Sequence, residues 1–297
     1  MEKFTLNIHG SLRTFDSPLV MGILNVTPDS FYDGSRTLNA GCSSCEEEKA
    51  AIREKARRMI DEGADIIDVG GCSTRPGSDP VPPEEEMRRV RLGVEAVRSL
   101  SSDMIISVDT FRAEVARRSV EEWGADIIND ISGGLLDPEM IPTVARIKAP
   151  YVMMHMRGTP DTMQSVTDYP QGVAAAVVTE LQRQIAAATL AGVADIIIDP
   201  GFGFAKTARQ NYELLSALPD VQYLLGNRPM LIGVSRKSMI YKPLGLSPAD
   251  CLPGTNAINT LALERGAAIL RVHDVAACRQ VVQVWQMFSD NLTPTHD

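Results

Sequence analysis

Eight short apolar runs, separated by stretches with helical spacing, place the strongest constraint on how this chain can fold. The runs are LVMGILN ending at Asn25, DIIDVG at Gly70, MIISVD at Asp109, ADIIND at Asp130, YVMMH at His155, ADIIID at Asp199, MLIGVS at Ser235 and AAILRVH at His273. They lack the alternation of apolar and polar residues that half-buried strands have, and so favour parallel strands covered on both faces. Eight such units in 297 residues predict an α/β fold, a single (β/α)8 TIM barrel.

The stretches between the runs indicate a repeated strand–helix unit. Four runs follow a glycine that can end a helix in the left-handed conformation, namely Gly63, Gly124, Gly192 and Gly266. Helices are predicted to begin near Ser44, Glu84, Ala113, Asp137, Gly172, Asn211, Gly254 and Asp274. A doubly wound open sheet is the alternative, but no G-x-G-x-x-G follows the first run.

The whole chain, residues 1–297, is predicted to be one domain, with the barrel core at about 18–285. The residues before Pro18 are expected to form a short hairpin or lead-in segment that closes the bottom of the barrel. No linker and no second domain are visible in the sequence.

Composition and charge exclude several classes of protein. The net charge of −9 and the lack of a basic run argue against a nucleic-acid surface, although a local basic cluster could still bind a small anion. No apolar stretch is long enough for a membrane span and no secretory signal pattern is visible, so we expect a cytoplasmic protein without a membrane partner.

Cys42 and Cys45 form a C-x-x-C pair that no histidine is spaced to complete as a zinc site, and two surface thiols are expected there.

Each apolar run ends in or near a polar residue, and in a TIM barrel these strand ends meet on the face that carries the active site. Turn chemistry alone explains one or two polar residues at strand ends. It explains Asp109, Asn129 and Asp199 less well, because all three directly follow buried β-branched residues. We therefore expect these three side chains to point into one pocket, where they could match the donor and acceptor edge of a fused nitrogen heterocycle.

Two long loops on the same face have the composition of lids. Residues 26–34 follow the first predicted strand and residues 71–77 follow the second, and both contain Gly, Pro and hydroxyl side chains. An ordinary connection between a strand and a helix would be shorter, about four to six residues.

The ends of the seventh and eighth strands carry a cluster of donors and positive charge. Ser235, Lys237, Arg271 and His273 lie where TIM barrels often bind phosphate. A structural ion pair of Arg271 or His273 with Asp274 is the alternative explanation for one of them.

Eight motifs in order, LNVTPDSF, STRPG, SVDT, NDI, MHM, DPGFGF, GVSRKS and RVHDV, resemble those of the dihydropteroate synthases. The resemblance runs from about Leu19 to Val281 and covers nearly the whole predicted barrel. It implies a transferase of folate biosynthesis, and a target of sulfonamides. This enzyme condenses 6-hydroxymethyl-7,8-dihydropterin pyrophosphate with p-aminobenzoate, giving 7,8-dihydropteroate and pyrophosphate. It also implies Mg²⁺ as the cofactor and a homodimer as the assembly.

The same resemblance implies a role for individual residues. Four polar side chains would hydrogen-bond the pterin ring, namely Asp109, Asn129, Asp199 and Lys237. Four others would shape its slot, namely Ile131, Met154, Phe204 and Gly233. Arg271 would pack on the pterin face and, with His273 and Asn25, hold the pyrophosphate. Asn25 would also contact the magnesium ion, and Ser235 would meet the p-aminobenzoate carboxylate. The lid loops would contribute Phe31, Asp33, Thr74, Arg75 and Pro76, of which all but Pro76 would serve catalysis together with Lys237.

The chemistry implied is a dissociative displacement, because an electron-rich pterin can stabilise positive charge at its methylene carbon. One departure from the family pattern is Cys72, which stands where a glutamate is usual. Two other functions remain as alternatives: a methyltetrahydrofolate:corrinoid methyltransferase, and a pterin-binding protein without transferase activity. The first would not be expected to keep STRPG or SRKS, and the second is disfavoured by the presence of Lys237 and Arg271.

Overall fold

The computed structural model describes residues 3–27, 45–72, 81–159 and 162–292. An antiparallel hairpin opens the described chain, formed by β1 (Phe4–Ile8) and β2 (Ser11–Phe15). Eight further strands follow, namely β3 (Leu19–Asn25), β4 (Ile66–Gly70), β5 (Ile105–Asp109), β6 (Ile127–Asp130), β7 (Tyr151–Met154), β8 (Ile196–Asp199), β9 (Met230–Ile232) and β10 (Ala267–Val272). Each of these pairs in parallel with the next, and β10 pairs with β3 to close the barrel. The predicted TIM barrel is thereby confirmed.

Helices lie between successive barrel strands and after the last. They are α1 (Cys45–Asp61), α2 (Pro83–Leu100), α3 (Ala113–Glu121), α4 (Met140–Ile147), α5 (Val173–Ala191), α6 (Ala208–Ser216), α7 (Leu218–Leu224), α8 (Ser238–Tyr241), α9 (Leu252–Leu263) and α10 (Val275–Leu292). Among the described residues, no helix combines the length and the apolar composition that a membrane span needs.

Two helices begin three residues away from their predicted starts. The helix predicted near Asn211 begins at Ala208, because Thr207 and Gln210 form a capping box just before it. The helix predicted near Asp137 begins at Met140, because Asp137 forms a turn whose side chain accepts from Glu139 N. The short helices α7 and α8 add to the predicted set, and the predicted cap residue Ser44 lies outside the described residues.

Side chains along the barrel strands point alternately outwards, to the helices, and inwards, to the barrel axis. The outward residues, such as Ile67 and Val69 on β4, pack with the helices in one large apolar core. The inward residues at the start of each strand, such as Ile66 and Ile105, form a second apolar cluster. Both sets are apolar in the lower half of the barrel, which explains why the runs show no alternation in the sequence.

The hairpin closes the amino end of the barrel, as predicted. Its residues Leu6 and Ile8 are buried in the inward-facing cluster at the strand starts. The hairpin is also tied by polar contacts, because Asn7 N donates to Asp195 Oδ2 at 2.9 Å and His9 Nε2 lies 2.8 Å from Asp126 Oδ1. With this end filled, a ligand can approach the barrel axis from the carboxyl end.

Candidate active site

A buried network of charged side chains forms the floor of the site at the carboxyl ends of the strands. Arg271 on β10 donates from Nε to Asp68 Oδ2 on β4 at 2.6 Å, and from Nη2 to Asp109 Oδ2 on β5 at 2.8 Å. Asn129 on β6 donates from Nδ2 to the same oxygen of Asp68 at 3.1 Å. Asp68 is fully buried, and its Oδ1 atom has no hydrogen-bond partner among the described residues. One carboxylate therefore holds both the guanidinium of Arg271 and the amide of Asn129.

The charge state of Asp109 follows from its surroundings. Burial raises the pKa of Asp109 to about 7, Arg271 opposes this rise, and the negative charges of Asp68 and Asp199 add to it. Burial lowers the pKa of Arg271 while Asp68 and Asp109 raise it, and the carboxylates prevail, so Arg271 remains a cation. Near neutral pH Asp109 can therefore exist as a carboxylate that accepts hydrogen bonds or as an acid that donates one.

Asp199 and Lys237 stand on the opposite side of the barrel. Asp199 Oδ1 accepts from Gly201 N at 2.7 Å, and burial raises the pKa of its carboxyl group. Lys237 donates from Nζ to Phe202 O, and the same nitrogen lies 4.5 Å from the centre of the Phe204 ring. Burial lowers the pKa of Lys237 to about 8, while the charge of Asp199 opposes the shift. This side of the site thus offers one acidic and one basic group, and each favours the charged form of the other.

An apolar cluster lies beside these polar groups on the same face. Its buried members are Ile131, Met154, Met156, Met163 and Ala205, against which Phe111, Leu136 and Phe204 pack. Gly233, just after β9, has no side chain, and a Cβ atom there would lie 3.8 Å from Arg271 Cβ. The site therefore combines an apolar wall with a polar edge, which suits a flat heteroaromatic ring.

Ser235 and His273 are joined beyond the ends of β9 and β10. Ser235 Oγ lies 3.0 Å from His273 Nδ1 and accepts from His273 N at 3.2 Å. Arg271 pairs with Asp68 and Asp109, and Asp274 accepts from Arg236 Nη2 at 2.6 Å. Strand β9 ends at Ile232, three residues before the predicted end, so Ser235 lies in the following turn.

Comparison with known proteins decides the family. A family model described as pterin binding enzyme matches residues 21–273. The chain is 44% identical over 272 residues to the dihydropteroate synthase of Synechocystis sp., covering 89% of this chain and 88% of that protein. It is 43% identical over 277 residues to the dihydropteroate synthase of Escherichia coli, covering 93% of each. The chain belongs to the dihydropteroate synthase family. Members of this family are transferases, and the chain falls in that enzyme class.

Other members of the family differ in length or are known with ligands. The chain is 42% identical over 275 residues to the folic acid synthesis protein fol1 of Schizosaccharomyces pombe, but spans only 36% of that longer protein. The structure of the Yersinia pestis dihydropteroate synthase with a sulfonamide drug matches this one with a TM-score of 0.85 and 36% sequence identity. The match covers 97% of this chain and 100% of the Yersinia chain. The Xanthomonas albilineans enzyme in complex with 7,8-dihydropteroate matches with a TM-score of 0.80 and 37% identity, over 98% of this chain and 100% of that chain. The same enzyme with 4-aminobenzoic acid matches with a TM-score of 0.84 and 38% identity, over 98% of this chain and 99% of that chain.

Several residues that the family pattern singles out cannot be located. Phe31, Asp33, Thr74, Arg75 and Pro76 lie outside the described residues, as do Cys42 and most of both predicted lid loops. The roles implied for them remain predictions.

Cys72, the departure from the family pattern, lies directly before the second of these loops. Its Sγ atom accepts from Arg112 Nη1 at 3.5 Å, and Arg112 also donates from Nη2 to Val81 O at 2.9 Å, on the other side of residues 73–80. Burial raises the pKa of the Cys72 thiol, although Arg112 opposes the shift. Cys72 is therefore a neutral neighbour of Arg112 where a glutamate would be a charged one.

Two residues of the site were not among the predicted ones. Asp68 stands two residues before the end of its apolar run, yet it anchors Arg271 and Asn129. Lys206 carries no signal in the sequence beyond its place two residues after DPGFGF, yet its side chain is buried beside His155. Each has a partner far away in the sequence, Arg271 for Asp68 and His155 for Lys206.

The residues present fit a magnesium ion bound mainly through substrate. No group of three or more His, Cys, Asp or Glu side chains in the described part of the chain could enclose a metal ion. Asn25 offers a carboxamide oxygen at the carboxyl end of β3, next to Gly70 in the sheet register. Magnesium commonly keeps several waters and takes one or two protein oxygens together with phosphate oxygens. A single oxygen ligand is therefore compatible with the magnesium ion that the sequence resemblance implies.

Proposed function

We propose that this chain condenses 6-hydroxymethyl-7,8-dihydropterin pyrophosphate with p-aminobenzoate, giving 7,8-dihydropteroate and pyrophosphate. One observation carries the proposal: the acidic, amide and basic side chains predicted for pterin recognition converge beside an apolar wall at the carboxyl end of the barrel. The relatives support it, because one Xanthomonas structure holds 7,8-dihydropteroate and another holds 4-aminobenzoic acid.

Pterin recognition is assigned to the polar edge of the site. Asp109 and Asp199 would accept hydrogen bonds from ring nitrogens, while Asn129 and Lys237 would donate to ring acceptors. The apolar wall formed with Met154 would cover a ring face. A buried site of this kind discriminates strongly, because a ligand without the matching groups leaves buried polar atoms unpaired.

The leaving group requires positive charge at the opposite end of the ligand. Arg271 is a cation that already contacts two carboxylates, and a pyrophosphate would compete with Asp109 for its Nη2 group. His273 and Asn25 would complete the pyrophosphate site, and Asn25 would contact magnesium. Bound magnesium would supply further charge neutralisation on the leaving group.

The residues would promote a dissociative displacement. The bond from the pterin methylene carbon to the pyrophosphate oxygen breaks with its electron pair leaving on oxygen, and the amine nitrogen of p-aminobenzoate then forms the new bond to carbon. The nitrogen loses one proton to solvent. An aryl amine is unprotonated at neutral pH, so the chain needs to position it, through Ser235 and the second loop, rather than to provide a strong base.

Two other functions would use much of the same site. A methyltetrahydrofolate:corrinoid methyltransferase would need the pterin edge, including Lys237, but not Ser235 and Arg271 placed for p-aminobenzoate and pyrophosphate. A pterin-binding protein without transferase activity would bind the ring and release nothing. The retained set of basic groups favours the synthase over both.

The deciding experiment is a coupled pyrophosphate-release assay with the pterin pyrophosphate, Mg²⁺ and p-aminobenzoate, with the product identified by mass. Release that requires p-aminobenzoate and yields 7,8-dihydropteroate is expected. Asp199→Asn should weaken pterin binding markedly in calorimetry, whereas Asp220→Asn at an exposed position serves as the matched control. Pterin binding without release would refute the synthase and lead to a corrinoid methyl-transfer assay.

We also propose that two copies associate through α9 and α10. A groove of about 580 Å³ lies between these helices. It is lined by two apolar side chains that are more than half exposed, Val284 at 66% and Phe288 at 53%, and Met287, next to Phe288, is 67% exposed. Contiguous apolar surface of this kind is typical of an interface. A dimer is expected in light scattering, and Phe288→Glu should give a monomer whereas Leu190→Glu, on an exposed part of α5, should not.

A cytoplasmic location remains a prediction.

A further inference from the structure

Lys206 is a buried lysine whose hydrogen bonds are all satisfied by this chain. Its Nζ atom lies 3.0 Å from His155 Nδ1 and donates to Gly201 O at 2.8 Å and to Phe204 O at 3.1 Å. An ammonium group has three donors, and here three acceptors surround it. Burial lowers the pKa of Lys206 to about 7, and the charge of Asp199 opposes the shift. Enclosing a lysine in this way is costly for its charged form, because the ammonium group loses its contacts with water.

His155 is held in the form that accepts from Lys206. Burial, followed by the charge of Lys206, lowers the pKa of His155 to about 4, so the ring is neutral at physiological pH. Since Nδ1 faces the ammonium, the ring proton resides on Nε2, which lies 3.0 Å from Glu180 Oε2. Glu180 is in turn paired with Arg157. Glu180 of α5, held by Arg157, thus fixes the tautomer of His155 and, through it, the position of Lys206.

Lys206 acts on the loop that follows β8, residues 200–206. Gly201 and Phe204, whose carbonyl groups accept from Lys206, also contact the site: Gly201 N donates to Asp199, and the Phe204 ring faces Lys237. At Gly201 φ is +74° and a Cβ atom would collide with His155 O, so the backbone of the loop passes directly against His155. Lys206 therefore binds the loop that faces the pocket, on the side of the loop away from the pocket.

We propose that Lys206 is a positioning residue for pterin binding, which fixes the loop after β8 so that Asp199 and Phe204 meet the ring correctly. This inference rests on the proposed function, since it assumes that the pocket binds a pterin. A lysine that served only stability would instead affect unfolding and leave the affinity of the folded protein unchanged.

The test compares Lys206→Met with Lys242→Met, a matched change at an exposed lysine. Calorimetry with 6-hydroxymethylpterin and with the dihydropterin pyrophosphate measures affinity at a temperature where each variant is folded. Lys206→Met should raise the pterin Kd roughly tenfold, the effect of losing a hydrogen bond to a charged group, and change the KM for p-aminobenzoate less than twofold. Lys206→Gln, which keeps two N–H donors, should restore part of the affinity, and Lys242→Met should match wild type.

A second variant keeps the inference testable if Lys206→Met fails to fold. Glu180→Ala removes the partner of His155 at a part-exposed position and should raise the pterin Kd by a few-fold. An unchanged pterin Kd in the folded Lys206→Met protein, or in Glu180→Ala when Lys206→Met does not fold, would overturn the positioning role. Wild-type protein that binds no pterin refutes the proposed function itself, so the two failures are distinguishable.

Discussion

Replacing Asp68 by asparagine removes one charge from the floor of the site and keeps the shape of the side chain. In the structure, Asp68 Oδ2 accepts from Arg271 Nε at 2.6 Å and from Asn129 Nδ2 at 3.1 Å. The amide oxygen of an asparagine can take the place of Oδ2, so both hydrogen bonds can persist. The substitution removes the negative charge from the hydrogen bond to Arg271. Arg271 then has Asp109 as its remaining carboxylate partner.

The magnitude follows from the difference between charged and neutral hydrogen bonds. A bond between charged groups contributes about 1.5–3 kcal/mol and a neutral one about half of that, so Asp68→Asn should lower the free energy of unfolding by about 0.8–1.5 kcal/mol. Asp68→Ala should cost more, about 3–5 kcal/mol, because it leaves a buried guanidinium without that partner. If Arg271 and Asn129 bind the substrate, the pterin pyrophosphate Kd should rise by about tenfold in Asp68→Asn.

Urea unfolding and calorimetry with the pterin pyrophosphate measure the two effects separately. Asp220→Asn provides the control, since it makes the same chemical change at an exposed carboxylate. An Asp68→Asn protein with the stability and the affinity of wild type would refute the view that this carboxylate orients Arg271. A loss of stability with unchanged affinity would refute the link between the floor network and substrate binding.

Three further changes test other parts of the site and core. Arg271→Ala should weaken binding of the pterin pyrophosphate more than that of the free pterin in calorimetry, and an equal loss on both would exclude a contact with pyrophosphate. The pH profile of kcat/KM should be bell-shaped, falling below about 7 as Asp109 gains a proton and above about 8 as Lys237 loses one. A profile that Lys237→Arg leaves unchanged on its alkaline side would exclude Lys237 from the titration. Tyr151→Phe, which removes a buried donor at 2.7 Å from a carboxylate, should lower the free energy of unfolding by about 1.5–3 kcal/mol in urea, whereas exposed Tyr223→Phe should not.

The barrel was predictable from the sequence because strand composition reports burial on both faces. The site was predictable where a side chain stands at the end of a run, as for Asp109 and Asp199. Asp68 was harder, because it stands two residues before the end of its run and its partner Arg271 is 203 positions away. Such a pairing depends on which strands become neighbours when the barrel closes, and local sequence carries no record of that.

Local chemistry was also missed where it was readable. The T-x-x-Q sequence from Thr207 to Gln210 has the form of a capping box and gives the true start of α6, yet the apolar spacing suggested a later one. Lys206 could not have been inferred in this way. Its acceptor His155 lies 51 positions earlier, at the end of another strand, and only the folded barrel brings the two together.

The hairpin formed by β1 and β2 has a consequence for the electrostatics of the opposite end. Leu6 and Ile8 fill the lower barrel with hydrocarbon, which keeps water from reaching Asp68 and Arg271 from beneath. Attraction between two charges strengthens as the surrounding medium becomes less polarisable. Polar substitutions in the hairpin should therefore hydrate the floor of the site and loosen its ion pairs without touching any residue that meets substrate. The hairpin therefore strengthens the ion pairs at the floor of the site, although it lies at the opposite end of the barrel.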